Sequence, residues 1–208
     1  MAAAIGRVGF VGIGNMGWPM AANLLKAGFD VAVCDAVPAR AAQFASEVGG
    51  HAAVGAAEAA RGADCVVAML PTSAQVAEAA AAMAETLAPG ALVIDMTSGQ
   101  PGRTREIAAA LAAKGVQMVD CPVSGGVPRA KTGELAIMAG GDDAALDRAE
   151  PVLRAMGTSV HRCGGIGAGQ AMKALNNLVS AGGFLIAALL VLTLGVETRG
   201  KVLEAVSR

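Results

Sequence analysis

The 208-residue sequence has few aromatic residues and almost no net charge. Aromatics make up 2% of the chain, with one tryptophan and no tyrosine, and the formal net charge is −1. Nucleic-acid-binding proteins need a basic surface for phosphates or aromatic side chains on which bases stack. The sequence therefore predicts no nucleic-acid partner.

Cysteine and histidine are also scarce. The four cysteines (Cys34, Cys65, Cys121 and Cys163) have no CxxC spacing, and there are only two histidines. Disulfide frameworks and zinc sites depend on such clusters, so we expect reduced, buried thiols and no metal site. Residues 1–6 lack the basic segment that precedes the apolar core of a signal peptide. We therefore expect a cytoplasmic protein.

One long, strongly apolar run of the sequence, residues 174–196, lacks charge altogether. This run is long enough to cross a membrane as a helix. Asn176 and Asn177 lie near its start, Gly182 and Gly183 interrupt it, and no second such run exists. We interpret the run as a buried helix that joins two domains and predict no membrane association, with a membrane-spanning helix as the alternative.

Apolar runs of strand length alternate with helical patterns along most of the chain. The predicted strands cover residues 8–11, 31–34, 65–70, 92–96, 117–119, 135–138 and 159–161. The predicted helices cover residues 16–26, 38–47, 73–86, 101–114 and 142–156. This alternation predicts an α/β fold: a doubly wound, mainly parallel sheet with helices on both faces. Ligands of such sheets bind beyond the carboxyl ends of the strands.

A glycine-rich turn follows the first predicted strand, and an acid, Asp35, ends the second. The turn consists of Gly12, Ile13, Gly14, Asn15, Met16 and Gly17. In a dinucleotide-binding βαβ unit, the first glycine permits the tight turn and the second lets the backbone approach the pyrophosphate. The third lets the helix pack closely on the strand. We predict a Rossmann-type site here; the alternative is an ordinary tight turn between strand and helix.

Asp35 also predicts which dinucleotide binds. A carboxylate at the end of the second strand bonds the ribose hydroxyls of NAD and repels the 2′-phosphate of NADP. Ala36 follows it, and Arg40 lies a helical turn away. The sequence therefore favours NAD, with NADP the less favoured cofactor.

The glycine-rich residues 164–169 end the alternation of strands and helices. We predict a dinucleotide-binding Rossmann domain over residues 1–164. Residues 165–208 are predicted to hold a long interdomain helix and the start of an all-α second domain, with a short helix over residues 199–206.

Lys173 and Asn177 are four residues apart in this long helical stretch, so they project from one face, and Gln170 lies one turn earlier on the same side. In an apolar cleft, desolvation would lower the pKa of Lys173 and suit it to proton transfer near neutral pH. Asn177 would then orient the substrate hydroxyl. The alternative is an interfacial lysine beside an amide.

Ser124, Gly125 and Gly126 follow the fifth predicted strand. Two glycines after a serine expose backbone N–H groups beside a hydroxyl, an arrangement that holds a carboxylate. A plain Ser-Gly-Gly turn is the alternative.

These three stretches, residues 12–24, 120–126 and 167–177, resemble in order and content the β-hydroxyacid dehydrogenases, the family of 3-hydroxyisobutyrate dehydrogenase and tartronate semialdehyde reductase. The resemblance covers nearly the whole chain. It implies NAD(P)-dependent interconversion of a 3-hydroxy acid and its semialdehyde or keto acid, in a homo-oligomer.

The resemblance also implies residue roles. Lys173 matches the catalytic lysine, Asn177 the substrate-binding asparagine, and Ser124 with Gly125 and Gly126 the carboxylate-binding loop. The residues matching loops on the nicotinamide side are Leu70, Pro71 and Thr97.

The sequence departs from the family pattern after the long helix. Most of the second domain is absent, residues 184–195 lack an expected acidic residue, and about one helical turn is missing. We therefore expect a C-terminally truncated relative, and a nucleotide-binding chain with weak or no turnover is the alternative function.

Overall fold

The computed structural model describes residues 5–194, which form nine strands and eight helices. The strands are β1 (Arg7–Val11), β2 (Asp30–Cys34), β3 (His51–Ala52), β4 (Cys65–Ala68), β5 (Leu92–Asp95), β6 (Gln117–Asp120), β7 (Val123–Ser124), β8 (Leu135–Gly140) and β9 (Gly157–Gly164). The helices are α1 (Gly17–Lys26), α2 (Pro38–Glu47), α3 (Ala56–Ala59), α4 (Ser73–Met83), α5 (Pro101–Ala112), α6 (Gly126–Thr132), α7 (Asp143–Met156) and α8 (Ala168–Leu194).

All nine strands belong to one sheet with the order β3-β2-β1-β4-β5-β6-β8-β7, and β9 pairs with β8. The strands from β3 to β6 are parallel, whereas β8 runs antiparallel to β6 and β7. The chain starts at β1, winds outwards through β2 and β3, and returns to the other side of β1 at β4. The predicted doubly wound, mainly parallel sheet is confirmed, and its switch point lies between β1 and β4.

The sheet lies between two hydrophobic layers. Cys65 and Val67 of β4 pack into one core cluster, and Val66 between them packs into the other. Successive side chains of a strand point to opposite faces, so this alternation shows that helices cover both faces. Full burial of each such aliphatic side chain contributes about 1.5–3 kcal/mol.

The structure adds four short elements that the sequence patterns missed: β3, α3, β7 and α6. They contain two, four, two and seven residues, too few to show a clear period. Helices α4 and α5 end at Met83 and Ala112, two or three residues before the predicted ends. The predicted helix over residues 199–206 lies outside the described residues.

Helices α1 and α2 meet through their aromatic residues. The ring of Trp18 contacts that of Phe44 edge-on, with centroids 5.0 Å apart and an interplanar angle of 76°. Phe44 is fully buried and Trp18 is partly buried against the same core. The pair fixes the first turn of α1 next to α2.

The backbone groups into two compact units, Met1–Lys173 and Ala174–Arg208. The predicted division between residues 164 and 165 stays a prediction. In the second unit, α8 exposes large apolar side chains, from 50% for Leu190 to 83% for Leu192. The burial predicted for this helix is therefore not achieved by the described residues. By length and composition alone, α8 is also sufficient to cross a membrane.

Candidate functional site

The turn between β1 and α1 requires glycine at two positions and has open space beside the backbone at a third. Gly12 has φ +93°, and a Cβ there would collide with the carbonyl oxygen of Met69. A Cβ at Gly17 would collide with the carbonyl oxygen of Gly12. No atom lies within 4 Å of the position of a Cβ at Gly14. The backbone at Gly14 is therefore open to a ligand, while the other two glycines close the turn and the helix contact.

The N–H groups of this turn divide into two sets. Gly12 N donates to the carbonyl of Cys34, and Ile13 N donates to Asp35 Oδ2 at 3.0 Å. Within residues 5–194, the N–H groups of Gly14, Asn15 and Met16 have no hydrogen-bond partner. Three free N–H groups before the first turn of a ten-residue helix form a place for an anion.

Asp35 follows β2 and faces the glycine turn. Besides Ile13 N, its carboxylate accepts the N–H of Val37 at 2.9 Å and Nη1 of Arg40 at 2.9 Å, both at Oδ1. Its side chain is only 6% exposed, and that of Arg40 is 42% exposed. The sequence pattern puts Arg40 one helical turn from Asp35 but does not predict this ion pair. The pair follows from the start of α2 at Pro38, which turns the third helical residue back towards the strand end.

A cavity of about 660 Å³ lies at the carboxyl ends of β1, β2 and β4. Eight of the predicted cofactor-binding residues line it: Gly12, Gly14, Asn15, Met16, Gly17, Asp35, Leu70 and Pro71. The other two do not. Ile13 donates its N–H to Asp35, and Thr97 is fully buried, where its hydroxyl oxygen accepts the N–H of Leu70 at 3.0 Å. These two residues therefore support the cavity wall from behind.

The Ser124-Gly125-Gly126 segment passes from β7 into α6, outside this cavity. Gly125 and Gly126 have φ +126° and +64°, and both are exposed, whereas Ser124 is half-buried. Side chains other than glycine rarely adopt such backbone angles, so the loop keeps an open backbone beside the hydroxyl.

The start of α8 is bonded to the sheet through Asp120, the last residue of β6. Gly167 N donates to Asp120 Oδ1 at 2.6 Å, and Gln170 N donates to Oδ2 at 2.8 Å. Asp120 is fully buried, and burial raises the pKa of its carboxyl although these N–H groups oppose the shift. A Cβ at Gly169 would collide with the carbonyl oxygen of Met138, so the helix start lies directly against the sheet.

The Gln170 side chain continues this network. It is 1% exposed, its Nε2 donates to the carbonyl of Thr97 at 2.7 Å, and its Oε1 accepts the N–H of Gly99 at 2.7 Å. Helical spacing predicts Gln170 only as a neighbour of Lys173, so this role of Gln170 was not predicted. A buried amide has to satisfy both its donor and its acceptor, and here it connects α8 to the loop that supports Leu70.

Lys173 is half-buried in the second turn of α8, and desolvation lowers the pKa of its ammonium group. Asn177, one turn further along the same helix, is exposed. The catalytic roles of both residues stay predictions.

The described residues hold no group of three or more histidine, cysteine or acidic side chains that suits a metal ion. All four cysteines are free thiols, and Cys163 is only partly buried, in contrast to the burial predicted for all four. Burial is the largest cause that raises the pKa of the Cys34 thiol to about 12.

Comparison with known proteins places this geometry in a family. Residues 7–165 match the family described as the NAD binding domain of 6-phosphogluconate dehydrogenase. The chain is 41% identical over 178 residues to an NAD-dependent L-serine dehydrogenase from Pseudomonas aeruginosa, a match that covers 84% of this chain and 59% of the relative. It is 38% identical over 177 residues to human mitochondrial 3-hydroxyisobutyrate dehydrogenase, covering 84% of this chain and 52% of that protein.

A solved structure agrees with these relatives. The 3-hydroxyisobutyrate dehydrogenase of Mycobacterium tuberculosis, determined with L-serine, superposes with a TM-score of 0.83 at 35% identity, covering 93% of this chain and 72% of the other. The chain spans between half and three fifths of the length of the two curated relatives. The chain belongs to the β-hydroxyacid dehydrogenase family and carries its NAD-binding Rossmann domain.

Proposed function

We propose that this chain binds NAD in the cavity beside the glycine turn and serves the interconversion of a 3-hydroxy acid and its semialdehyde or keto acid. The observation that supports the cofactor most directly is the geometry at Gly14. Three free N–H groups and an open backbone face a cavity that Asp35 also lines. These residues fit a dinucleotide: the N–H groups suit the pyrophosphate and the carboxylate suits the adenosine ribose.

The cofactor supplies hydride transfer when it is bound. The chain's own contribution is proton transfer and orientation. In the proposed mechanism, Lys173 in its neutral form accepts the proton of the substrate hydroxyl during oxidation and returns it during reduction. The lowered pKa of Lys173 supports this role, because it increases the neutral fraction near neutral pH.

We propose a substrate with a carboxylate group. The support is the loop at Ser124, where exposed glycine backbone follows a hydroxyl side chain. Two relatives act on substrates of this kind by name, L-serine and 3-hydroxyisobutyrate. We propose that the chain binds the nucleotide as part of an enzyme of this kind, with a nucleotide-binding chain of weak or no turnover as the alternative.

A titration of NADH fluorescence with the purified chain tests the cofactor proposal. The wild-type chain is expected to bind NADH, and Gly14→Ala is expected to weaken binding at least tenfold. The added methyl group enters the open space at the turn and meets only ligand, so the fold stays intact by circular dichroism. Equal NADH binding by the two chains would contradict the proposal.

A second experiment separates the enzyme from a nucleotide-binding relative. Oxidation of 3-hydroxyisobutyrate and of L-serine is followed by NADH absorbance with wild type and Lys173→Ala. We expect turnover that the substitution abolishes without changing NADH affinity. Turnover by the wild type on the order of 10 per second would exclude the alternative of weak activity. An unchanged rate in the variant would exclude Lys173 as the general acid and base.

We also propose a cytoplasmic, self-associating protein. The free thiols suit a reducing compartment, and the exposed apolar side chains of α8 form the kind of surface that another subunit covers. Extraction without detergent, followed by analytical ultracentrifugation, tests both points. Recovery only in detergent would favour the membrane-spanning alternative for α8, and a monomer at all concentrations would contradict self-association.

A further inference from the structure

The pair formed by Asp35 and Arg40 lies where the ribose of the proposed cofactor would bind. Both side chains line the large cavity with the glycine turn, and Ala36 and Val37 complete its wall there. Asp35 Oδ1 accepts Arg40 Nη1 at 2.9 Å. The Asp35 carboxylate, which would otherwise repel the 2′-phosphate of NADP, is therefore already paired with a cation.

The two partners differ in how firmly they are held. The Asp35 carboxylate is fixed by two backbone N–H groups, those of Ile13 and Val37, and is nearly buried. The side chain of Arg40 is 42% exposed, and within residues 5–194 the hydrogen bonds of its guanidinium group use only Nη1. A guanidinium has five N–H donors and a geometry that matches phosphate oxygens. Arg40 is thus able to bond a phosphate without leaving the neighbourhood of Asp35.

The net charge of the Asp35–Arg40 pair also favours a bound phosphate. A phosphate monoester carries about −1.5 to −2 charges at pH 7. Beside an unpaired aspartate it meets one more negative charge, but beside the Asp35–Arg40 pair it meets a net charge near zero. The electrostatic penalty that usually separates NAD-binding from NADP-binding pockets is therefore largely removed here.

We propose that Arg40 is a specificity-determining residue that binds the 2′-phosphate, so that this pocket accepts NADP(H) as well as NAD(H). The inference rests on the proposed cofactor site. NADH remains the preferred ligand because Asp35 bonds its ribose hydroxyls, and Arg40 keeps NADPH within about tenfold of it. Without Arg40, the charge of Asp35 would exclude the phosphate.

Equilibrium titrations of nucleotide fluorescence test this inference without requiring turnover. NADH and NADPH are each titrated into wild type, Arg40→Gln and the control Arg154→Gln. The control removes a positive charge and an exposed ion pair with Glu150 on α7, away from the cavity. Arg40→Gln is expected to weaken NADPH binding at least tenfold and to change NADH binding less than threefold. The control is expected to leave both affinities within twofold.

The outcomes separate this inference from the proposed function. If wild type binds neither nucleotide while folded, the cofactor site itself is wrong and the inference falls with it. If NADH binds normally but NADPH does not, or if Arg40→Gln weakens both nucleotides equally, the role of Arg40 as a phosphate ligand is overturned while NAD binding stands. Loss of NADPH binding with increasing salt, steeper in wild type than in Arg40→Gln, would add support.

Discussion

Two aspartates end parallel strands of the same sheet, and their surroundings differ in kind. Asp35, after β2, is paired with Arg40 and lines the large cavity. Asp120, at the end of β6, is fully buried and accepts two N–H groups from the start of α8. Both acids satisfy backbone donors. The comparison shows that the acid that lines a cavity and has an exposed counter-charge is suited to a ligand, whereas the buried acid holds two elements together.

The largest expected difference between the two acids is in stability. Asp120→Ala would leave the N–H groups of Gly167 and Gln170 buried and unpaired, so we expect a loss of about 3 kcal/mol in the free energy of unfolding. Asp35→Ala removes the same atoms at a more accessible position and is expected to cost about 1 kcal/mol. Urea unfolding of both variants measures the difference. Equal losses would show that the two acids do not differ in structural role.

Nucleotide binding is expected to reverse the order of the two variants. Asp35→Ala removes the ribose partner and frees Arg40, so NADH binding is expected to weaken about tenfold, or about 1.4 kcal/mol, and the gap to NADPH is expected to narrow. Asp120→Ala, compared at a temperature where it is folded, is expected to change NADH affinity less than threefold. An unchanged ratio of NADH to NADPH affinity in Asp35→Ala would refute the assignment of Asp35.

The pKa of a third acid, Asp95, extends the comparison to the pH dependence of stability. Asp95 ends β5, pairs in register with Asp120 and is 2% exposed, and burial is the main cause that raises its pKa to about 7. An unfolded aspartate titrates near pH 4. Between about pH 4 and 7 the folded state keeps a proton that the unfolded state has lost, so the contribution of Asp95 to stability falls as the pH rises.

Asp95→Asn is expected to remove this dependence. The amide oxygen still accepts the N–H of Thr97, which now bonds Asp95 Oδ1 at 3.0 Å. We compare the free energy of unfolding of the variant with that of wild type at each pH. The difference in favour of the variant should be larger at pH 8 than at pH 4.5 by on the order of 2 kcal/mol. Urea unfolding at the two pH values checks this, and Asp142→Asn serves as a control on an exposed helix cap. A gain that is the same at both pH values would contradict the raised pKa.

The sequence predicted the strands and helices whose repeating pattern of apolar residues extends far enough to be recognised. The apolar runs of β1, β2 and β4 and the helices between them follow from alternation, and the helix α2 has the predicted bounds, Pro38–Glu47. Two-residue strands such as β3 carry no period, so tertiary pairing alone creates them.

The sequence predicted the backbone turn of the site but not which side chains bond to each other there. Glycine spacing predicted the turn because the limits on Gly12 and Gly17 are local and steric. The contacts of Arg40 and Gln170 were missed for a different reason. The Asp35–Arg40 pair depends on the residue at which α2 begins. The bond from Gln170 to Thr97 joins residues 73 positions apart, so it depends on which loop lies opposite the start of α8.

The edge-on contact between Trp18 and Phe44 has a spectroscopic consequence. Trp18 is the only tryptophan and the chain has no tyrosine, so all indole emission comes from one ring at the start of α1. That ring lines a shallow pocket with Gly14, Asn15 and Arg40, residues of the proposed nucleotide site. Energy transfer from Trp18 to reduced nicotinamide nucleotides would therefore report occupancy of this site, with no contribution from a second tryptophan.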